Sequence, residues 1–340
     1  MTKSLRTVRA TAMAGVAAMV MSVAMTAVPA VAQESHLGIP LDKVGVVSFT
    51  LRAQLGEDPR ATLEAVAACG IENIEFSSPR LNDGVPAFAG VEVPQIKAFA
   101  EEFGFKVPSL GVNGGDLTDR LDVVISSAKE LGATYVRISG VDAVQGESQA
   151  EYYNRLADTM NTAGAALAKE GITLAYHNHD AEFRYVTEGN SGYDILLKKV
   201  DPANAAFELD LYWAYVGNAN PIRLIEENQG RIKLYHVKDA HKVGEGRAAK
   251  TTMTTVGLGT VPFAEIFQHD DKAGVEYYFI ENDSPLPDGV TSTCDSYAYI
   301  ASPTAEAAAE VSAASASAAA NAAEAKAVAE AAAAAAAAAK

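Results

Sequence analysis

The sequence has little cysteine, a deficit of basic side chains and, beyond its N-terminal segment, no long run of large apolar residues. Only two of the 340 residues are cysteine, which excludes a scaffold held by several disulfides. Lysine and arginine total 27 against 43 aspartates and glutamates, so the surface repels phosphate backbones and we expect no nucleic-acid partner. No segment after residue 28 is predicted to span a membrane.

The N-terminus is typical of a secretory signal peptide. Three basic residues precede an apolar run over residues 10–28, and the small residues Ala30 and Ala32 follow at the positions that a signal peptidase recognises. We therefore predict a signal peptide over residues 1–32 and an exported protein, periplasmic or secreted, without membrane contact after cleavage. An uncleaved membrane anchor is the alternative, although glycine, serine and threonine weaken the apolar run.

The C-terminal segment 304–340 is dominated by alanine and closes with nine alanines before the final lysine. Alanine favours a helix, but a helix with few large side chains gains little from tertiary contacts. We interpret this segment as a low-complexity tail, helical or frayed, without a chemical role. Residues 33–303 remain as a single domain.

Within that domain, a short β-branched run followed by an amphipathic helical pattern recurs eight times. Several of the helical patterns end at a glycine, which suits a left-handed C-cap. These glycines are Gly70, Gly104, Gly132, Gly171, Gly230 and Gly274. The predicted strands are 44–51, 71–76, 106–112, 134–139, 172–178, 205–211, 232–237 and 275–282.

Eight strand and helix units in this length predict an α/β fold, a closed (β/α)8 TIM barrel. An open, doubly wound sheet is the alternative, but no Gly-x-Gly-x-x-Gly opens a helix after the first strand. In a TIM barrel, functional residues lie at the carboxyl ends of the strands.

Four consecutive predicted strands turn polar at their carboxyl ends. Strands five to eight deliver His177, Asp210, His236 and Glu281 to one rim of the barrel. Imidazole and carboxylate together bind divalent metals, so we predict one divalent ion, with Mn²⁺ preferred over Zn²⁺, Co²⁺ or Mg²⁺. Each residue alone is more typical of a capping group, and the prediction depends on their coincidence in successive strands.

The motifs around these residues resemble the sugar phosphate isomerase/epimerase family, which has a xylose isomerase-like TIM barrel. The resemblance covers residues 44–300 and implies one divalent ion bound by Glu, Asp, His and Glu at strands five to eight. It assigns the last three places to Asp210, His236 and Glu281, whereas His177 stands where the first carboxylate is usual; His179 is the alternative ligand. The motifs are Tyr176-His177-Asn178-His179-Asp180-Ala181-Glu182-Phe183, Glu208-Leu209-Asp210, His236-Val237-Lys238-Asp239 and Ile280-Glu281-Asn282-Asp283.

The resemblance also implies the chemistry, which is removal of a proton next to a carbonyl of a carbohydrate. Glu281 is the implied base, and Glu182, His179 or Lys238 would supply the second proton of an isomerase or epimerase. Since a second metal-bound glutamate is missing, a lyase acting on 3-keto glycosides or dehydrating a keto-polyol stays open. Export favours a non-phosphorylated or keto sugar as substrate.

Further residues near the strand ends are candidates for substrate binding. Trp213 and Tyr212 would form an aromatic wall for a sugar, or pack the rim. Arg137 and Glu75 would contact the substrate, or pair with each other inside the barrel. The oligomeric state is left open by the sequence.

Two alternatives to a sugar-converting enzyme remain, a non-catalytic sugar-binding protein and an endonuclease. A sugar-binding barrel without activity would need none of the four metal candidates, and an endonuclease of related fold is disfavoured by the acidic charge.

Cys69 and Cys294 fall on neighbouring helices of a closed barrel. We predict two separate buried thiols there, with a disulfide as the alternative.

Overall fold

Eight parallel strands form the centre of the protein in the computed structural model, which describes residues 35–243 and 250–338. The predicted signal peptide lies outside the described residues. Seven of the eight strands lie within the predicted ranges and are shorter, and the seventh has the predicted bounds. They are β1 Val44–Val47, β2 Asn73–Glu75, β3 Ser109–Gly111, β4 Tyr135–Ile138, β5 Thr173–His177, β6 Ala205–Asp210, β7 Ile232–Val237 and β8 Tyr277–Ile280.

The strands close into a barrel. Hydrogen-bonded neighbours follow the order β2-β1-β8-β7-β6-β5-β4-β3, and every pairing in this sheet is parallel. Isolated parallel bridges from Asn73 to Lys106 and from Phe76 to Leu110 join β2 to β3. The predicted TIM barrel is therefore confirmed, and the carboxyl ends of all eight strands meet at one rim.

Helices connect the strands on the outside of the barrel. The glycines predicted as C-caps, Gly70, Gly104, Gly132, Gly171, Gly230 and Gly274, all have positive φ, which glycine adopts without steric cost. The α-helices are Arg52–Glu57, Pro59–Ala68, Val93–Phe103, Gly114–Asp119, Leu121–Leu131, Gln149–Ala168, Gly192–Lys199, Leu211–Val216, Pro221–Glu227, Phe263–Phe267, Asp270–Ala273, Gly289–Ala301 and Ala305–Ala338; Leu41–Lys43 and Ala181–Phe183 are 3-10 helices.

The interior of the barrel is layered. Val47, Ala175, Leu234 and Phe279 form a small apolar cluster between the strands, separate from the large core between barrel and helices. Charged side chains occupy the barrel interior beyond this cluster, towards the carboxyl ends of the strands. Because burying charge is costly unless the groups compensate one another, this layer indicates function rather than packing.

Short antiparallel strands decorate the rim. Asp239–Val243 pairs with Lys250–Thr254, Tyr185–Thr187 pairs with Asn190–Ser191, and Pro79–Asn82, Val85–Phe88 and Val91–Glu92 form a three-stranded sheet. These pairs follow strand ends and therefore build up the walls of the mouth.

The alanine-rich segment forms the helix Ala305–Ala338. Its first turns contact the barrel: Ala308 and Ser315 are buried, and the Ser312 hydroxyl donates to the Gly257 carbonyl over 3.0 Å. Small side chains allow this close approach. Within residues 35–243 and 250–338, no helix combines the length and apolar character needed to cross a membrane.

The prediction of two separate thiols is wrong, because Cys69 and Cys294 form a disulfide. Cys69 caps the helix Pro59–Ala68, and Cys294 lies in Gly289–Ala301, which packs beside it where the last unit meets the first. Their Cα atoms are 5.6 Å apart, within the range that a disulfide spans. The sequence places the two helices side by side but does not give that distance.

Candidate metal centre and active site

The carboxyl ends of β5 to β8 bring four predicted ligands together. Asp210 Oδ2 lies 4.0 Å from His177 Nε2 and 3.9 Å from His236 Nδ1, and His236 Nδ1 lies 2.6 Å from Glu281 Oε2. All four residues are buried. His177, Asp210 and His236 each offer a ligand atom within 4.8 Å of the others, a spacing that a single ion can bridge.

Neighbouring groups fix the orientation of these side chains. His236 Nε2 lies in hydrogen-bonding contact with Glu75 Oε1 at 3.1 Å, which leaves Nδ1 facing Asp210 and Glu281. The Asn178 side chain accepts from the Asp210 backbone N–H and donates to its carbonyl. A carboxylate on the far nitrogen of a ligand histidine is the usual way in which proteins orient such a ligand.

A second charged layer lies directly beneath. Arg137 Nε donates to Glu75 Oε1 over 2.8 Å and lies 3.5 Å from Glu208 Oε2, so the predicted ion pair between Arg137 and Glu75 is present. Burial opposes ionisation of Glu75, but Arg137 and His236 lower its pKa to about 2. Burial and the charge of Glu75 raise the pKa of Glu208 to about 7.

This second layer also offers three possible ligands, Glu75, Glu208 and His236. Both groups have a cationic side chain beside them, Arg137 in the lower group and Lys238 in the upper one. His177 and Glu281 line the cavity, whereas Glu75 and Glu208 are buried beneath it. We therefore assign the candidate metal centre to the upper group, which a bound molecule can reach.

The upper group fits a metal by the chemistry of its atoms. Asp210 Oδ2, His236 Nδ1 and Glu281 Oε2 are buried, and none of them makes a hydrogen bond of good geometry, although Lys238 Nζ lies 3.1 Å from Asp210 Oδ2 and 2.7 Å from Glu281 Oε2. A divalent ion would accept a lone pair from each of the three atoms.

The charge balance points the same way. Four carboxylates of the two layers, Glu75, Glu208, Asp210 and Glu281, are buried. Two cationic side chains, Arg137 and Lys238, contact them. Carboxylates therefore outnumber these two cations. Burial opposes a proton on His236, but Glu208, Glu281 and Glu75 raise its pKa well above the usual value, so a protonated His236 meets part of the negative charge and a divalent ion would replace that proton. Burial and neighbouring cations lower the pKa of His177.

Lys238 lies between the metal group and the solvent-facing rim. Its Nζ is 2.7 Å from Glu281 Oε2, 3.1 Å from Asp210 Oδ2 and 3.2 Å from Asp283 Oδ1. Burial works against its charge, but these three carboxylates outweigh it and raise the pKa of Lys238 further above its usual value. Lys238 is therefore a fixed positive charge, not a group that exchanges protons near neutral pH.

The remaining predicted proton-transfer residues separate into two positions. His179 lies beside the cavity, with its ring centre 4.9 Å from that of His177. Glu182 is buried away from the cavity and accepts from the Tyr176 hydroxyl and the His179 backbone N–H. Glu182 thus holds the loop after β5 in shape, and we do not retain it as a proton-transfer group.

The two aromatic residues predicted to bind sugar do not line the cavity as the described residues form it. The Trp213 ring lies behind His179 at 5.5 Å and near Lys238, whose Nζ is 5.9 Å from its centre. Tyr212 is buried and packs edge-on against Trp213. Both side chains support the residues that face the cavity.

A cavity of about 610 Å³ opens at the rim over these groups. His177, His179, Lys238, Glu281 and Arg137 line it on one side. Gly111, on β3, makes room for Arg137, because a Cβ there would lie 2.7 Å from the guanidinium carbon. The floor is thus formed by charged groups that a bound molecule can reach.

Sequence reasoning missed two residues of this site. Glu208 lies 3.2 Å from His177 Nδ1 and 3.1 Å from His236 Nε2, and Asp283 holds Lys238 from the solvent side. Alternate residues of a strand share a face, so Asp210 pointing inward implies that Glu208 does so too. For Asp283 no periodic signal exists, because it follows the end of β8.

One known protein family matches this barrel. The family described as xylose isomerase-like TIM barrel matches residues 63–294, most of the chain.

Among relatives, the inosose dehydratase of Bacillus licheniformis is 26% identical over 149 residues, covering 41% of this chain and 49% of that protein. The matched region thus spans about half the length of this curated relative. A crystal structure of a sugar phosphate isomerase/epimerase from Parabacteroides distasonis has a TM-score of 0.62 at 24% identity, covering 75% of this chain and 96% of that one. The IOLI protein with a bound zinc atom has a TM-score of 0.56 at 15% identity, covering 79% and 98%.

Proposed function

Since the chain belongs to the xylose isomerase-like TIM barrel family, we propose that it is an exported, divalent-metal-dependent isomerase or epimerase of a non-phosphorylated or keto sugar. The reaction starts with removal of a proton from the carbon next to a carbonyl. The observation that carries the proposal is the convergence of ligand atoms of His177, Asp210 and His236 within 4.8 Å of one another at the mouth of the barrel, with Glu281 Oε2 2.6 Å from His236 Nδ1. The solved isomerase/epimerase of the same fold and the zinc-containing relative support it.

His177, Asp210, His236 and Glu281 would hold the ion. When bound, a divalent ion supplies a Lewis acid that stabilises negative charge developing on a carbonyl oxygen. Mn²⁺ is the proposed metal, with Zn²⁺, Co²⁺ and Mg²⁺ as alternatives.

Glu281 is the proposed base. It lines the cavity, and Lys238 and His236 lower its pKa below the usual range although burial opposes this. It is therefore ionised and able to take a proton. Lys238 and Arg137 present fixed positive charge to substrate oxygens and orient the carbonyl, and His179 is the proposed second proton-transfer group.

A lyase is the second candidate. Four carboxylates are buried near the mouth of the barrel, and Glu281 is the one of these four that lines the cavity. A mechanism with one carboxylate base therefore fits the site. Elimination needs one base to remove a proton and a route for the leaving group, whereas epimerisation needs a proton source on the opposite face. The similarity to an inosose dehydratase supports this alternative.

Product analysis in D₂O distinguishes the two reactions. We expect the Mn²⁺-loaded protein, incubated with free ketoses and with 3-keto glycosides, to introduce solvent deuterium at the carbon beside the carbonyl and leave the glycosidic bond intact. Release of the aglycone would favour the lyase. Neither outcome, with Mn²⁺, Co²⁺ or Zn²⁺ added, would contradict both candidates; NMR spectra of the products record the result.

Export is proposed from the sequence of residues 1–32, and the disulfide supports it. Cysteine pairs of this kind persist in oxidising compartments such as the periplasm or the extracellular space. An exported enzyme meets free or glycosidically linked sugars, which is the basis for the proposed substrate class.

A further inference from the structure

The cavity at the mouth is larger than one sugar ring requires. A hexose has about twelve non-hydrogen atoms and occupies roughly 150–200 Å³ at the packing density of a protein interior. The cavity measures about 610 Å³. A single ring placed over the metal group therefore leaves room for a second one.

The two sides of the cavity differ in composition. The side over the candidate metal centre comes chiefly from strands β5, β7 and β8. The opposite side comes from segments after β1 to β4, and we call this side the distal wall; it is formed by Phe49, Arg52, Ser78, Asn113 and Asp142. Within the distal wall, Ser78 and Asn113 follow strands that lie across the barrel from β6 and β7, whereas Arg52 follows β1, the neighbour of β8, and contacts Asp283. A molecule that contacts both His177 and the distal wall therefore extends beyond the candidate metal centre.

The distal wall has the chemistry of a carbohydrate subsite. Arg52 lies over the Phe49 ring, with its guanidinium carbon 4.3 Å from the ring centre, and donates to the carbonyls of Phe49 and Asp283. These contacts hold a flat surface in place, and flat aromatic or guanidinium surfaces pack well against the C–H face of a pyranose. Hydroxyl, amide and carboxylate groups of Ser78, Asn113 and Asp142 surround it and can pair with sugar hydroxyls.

We propose that the distal wall binds a second sugar ring, so that the substrate is a disaccharide or a glycoside with a sugar as its second part. This inference rests on the proposed function, because it assumes that the reacting ring lies over His177 and Glu281. The inference goes beyond the proposed function by assigning the distal wall to selection of the substrate rather than to the reaction.

Binding of unreactive sugars tests the distal wall without turnover. Isothermal titration of the Mn²⁺-loaded protein with glucose, maltose, cellobiose and trehalose should show at least one disaccharide binding about 10-fold or more tightly than glucose. Arg52→Ala should remove most of that difference and leave glucose affinity unchanged. Asp142→Ala, an exposed position, should weaken the same disaccharide and also spare glucose.

Arg80→Ala is the matched control, because Arg80 is an exposed arginine outside the cavity lining. It should change neither affinity. Equal binding of glucose and all three disaccharides would overturn the distal subsite and leave the proposed function intact, as would equal weakening of glucose and disaccharide by Arg52→Ala. Failure of every sugar to bind would also overturn the distal subsite, whereas the proposed function is decided by the D₂O experiment with keto substrates.

Discussion

Glu281→Gln is expected to reduce kcat on a keto-sugar substrate by about 10²- to 10⁴-fold, the usual contribution of a positioned acid or base. The amide has the shape of the carboxylate but cannot take a proton. It also loses the negative charge that pairs with Lys238 Nζ at 2.7 Å and faces His236 Nδ1 at 2.6 Å. Steady-state rates and metal content are measured together, because Glu281 is also a proposed ligand.

Asp283→Asn is the matched control for this variant. Asp283 follows the same strand, lines the same cavity and contacts the same lysine, but lies outside the candidate metal group. We expect its kcat to fall by no more than about 10-fold. If Asp283→Asn lost as much activity as Glu281→Gln at equal metal content, Glu281 would not be the base.

Loss of the disulfide is expected to cost about 3–5 kcal/mol of unfolding free energy in Cys69→Ser, Cys294→Ser or the double variant. The bond closes a loop between residues 225 apart in sequence, and a loop of that length removes much conformational entropy from the unfolded chain. It also ties the last helical unit to the first, where the barrel closes. Urea unfolding followed by circular dichroism measures the change.

Reduction provides the control for the disulfide. The wild-type protein with dithiothreitol should lose as much stability as the double variant, and the double variant should not respond to the reagent. A double variant within about 1 kcal/mol of the wild type would show that packing alone holds the closure, since single substitutions outside special sites have effects of this size.

The fold was accessible from the sequence because its signal is periodic. Continuous apolar runs mark strands buried on both faces, and glycines such as Gly104 and Gly132 mark helix ends with a left-handed residue. The structure confirms the eight strands. Seven of them are shorter than predicted, because residues at the ends of the apolar runs belong to the turns and loops that flank the strands.

Only part of the site could be predicted from the sequence. Strand ends identify His177, Asp210, His236 and Glu281, since the position of a residue in a barrel strand fixes the rim that it reaches. The periodicity of the sequence does not predict contacts between loops. Glu182 and Trp213 look like site residues in the sequence, and only the path of the loops places them behind His179.

The contacts within the lower charged layer could not be predicted from the sequence. Arg137, Glu75 and Glu208 come from three strands far apart in sequence, and their mutual compensation depends on distances of 2.8 to 3.5 Å. The structure also separates the two groups of possible ligands, because His177 and Glu281 line the cavity whereas Glu75 and Glu208 do not. Residue types alone do not make this distinction.

Metal titration tests the central claim most directly. The metal-free wild-type protein, titrated with Co²⁺ and followed by calorimetry and by its visible absorption, is predicted to bind one equivalent, and Asp210→Ala and His236→Ala are each predicted to abolish that binding while circular dichroism stays unchanged. Absence of stoichiometric binding to the folded wild type, or equal binding by the two variants, would contradict a metal centre at the mouth of this barrel.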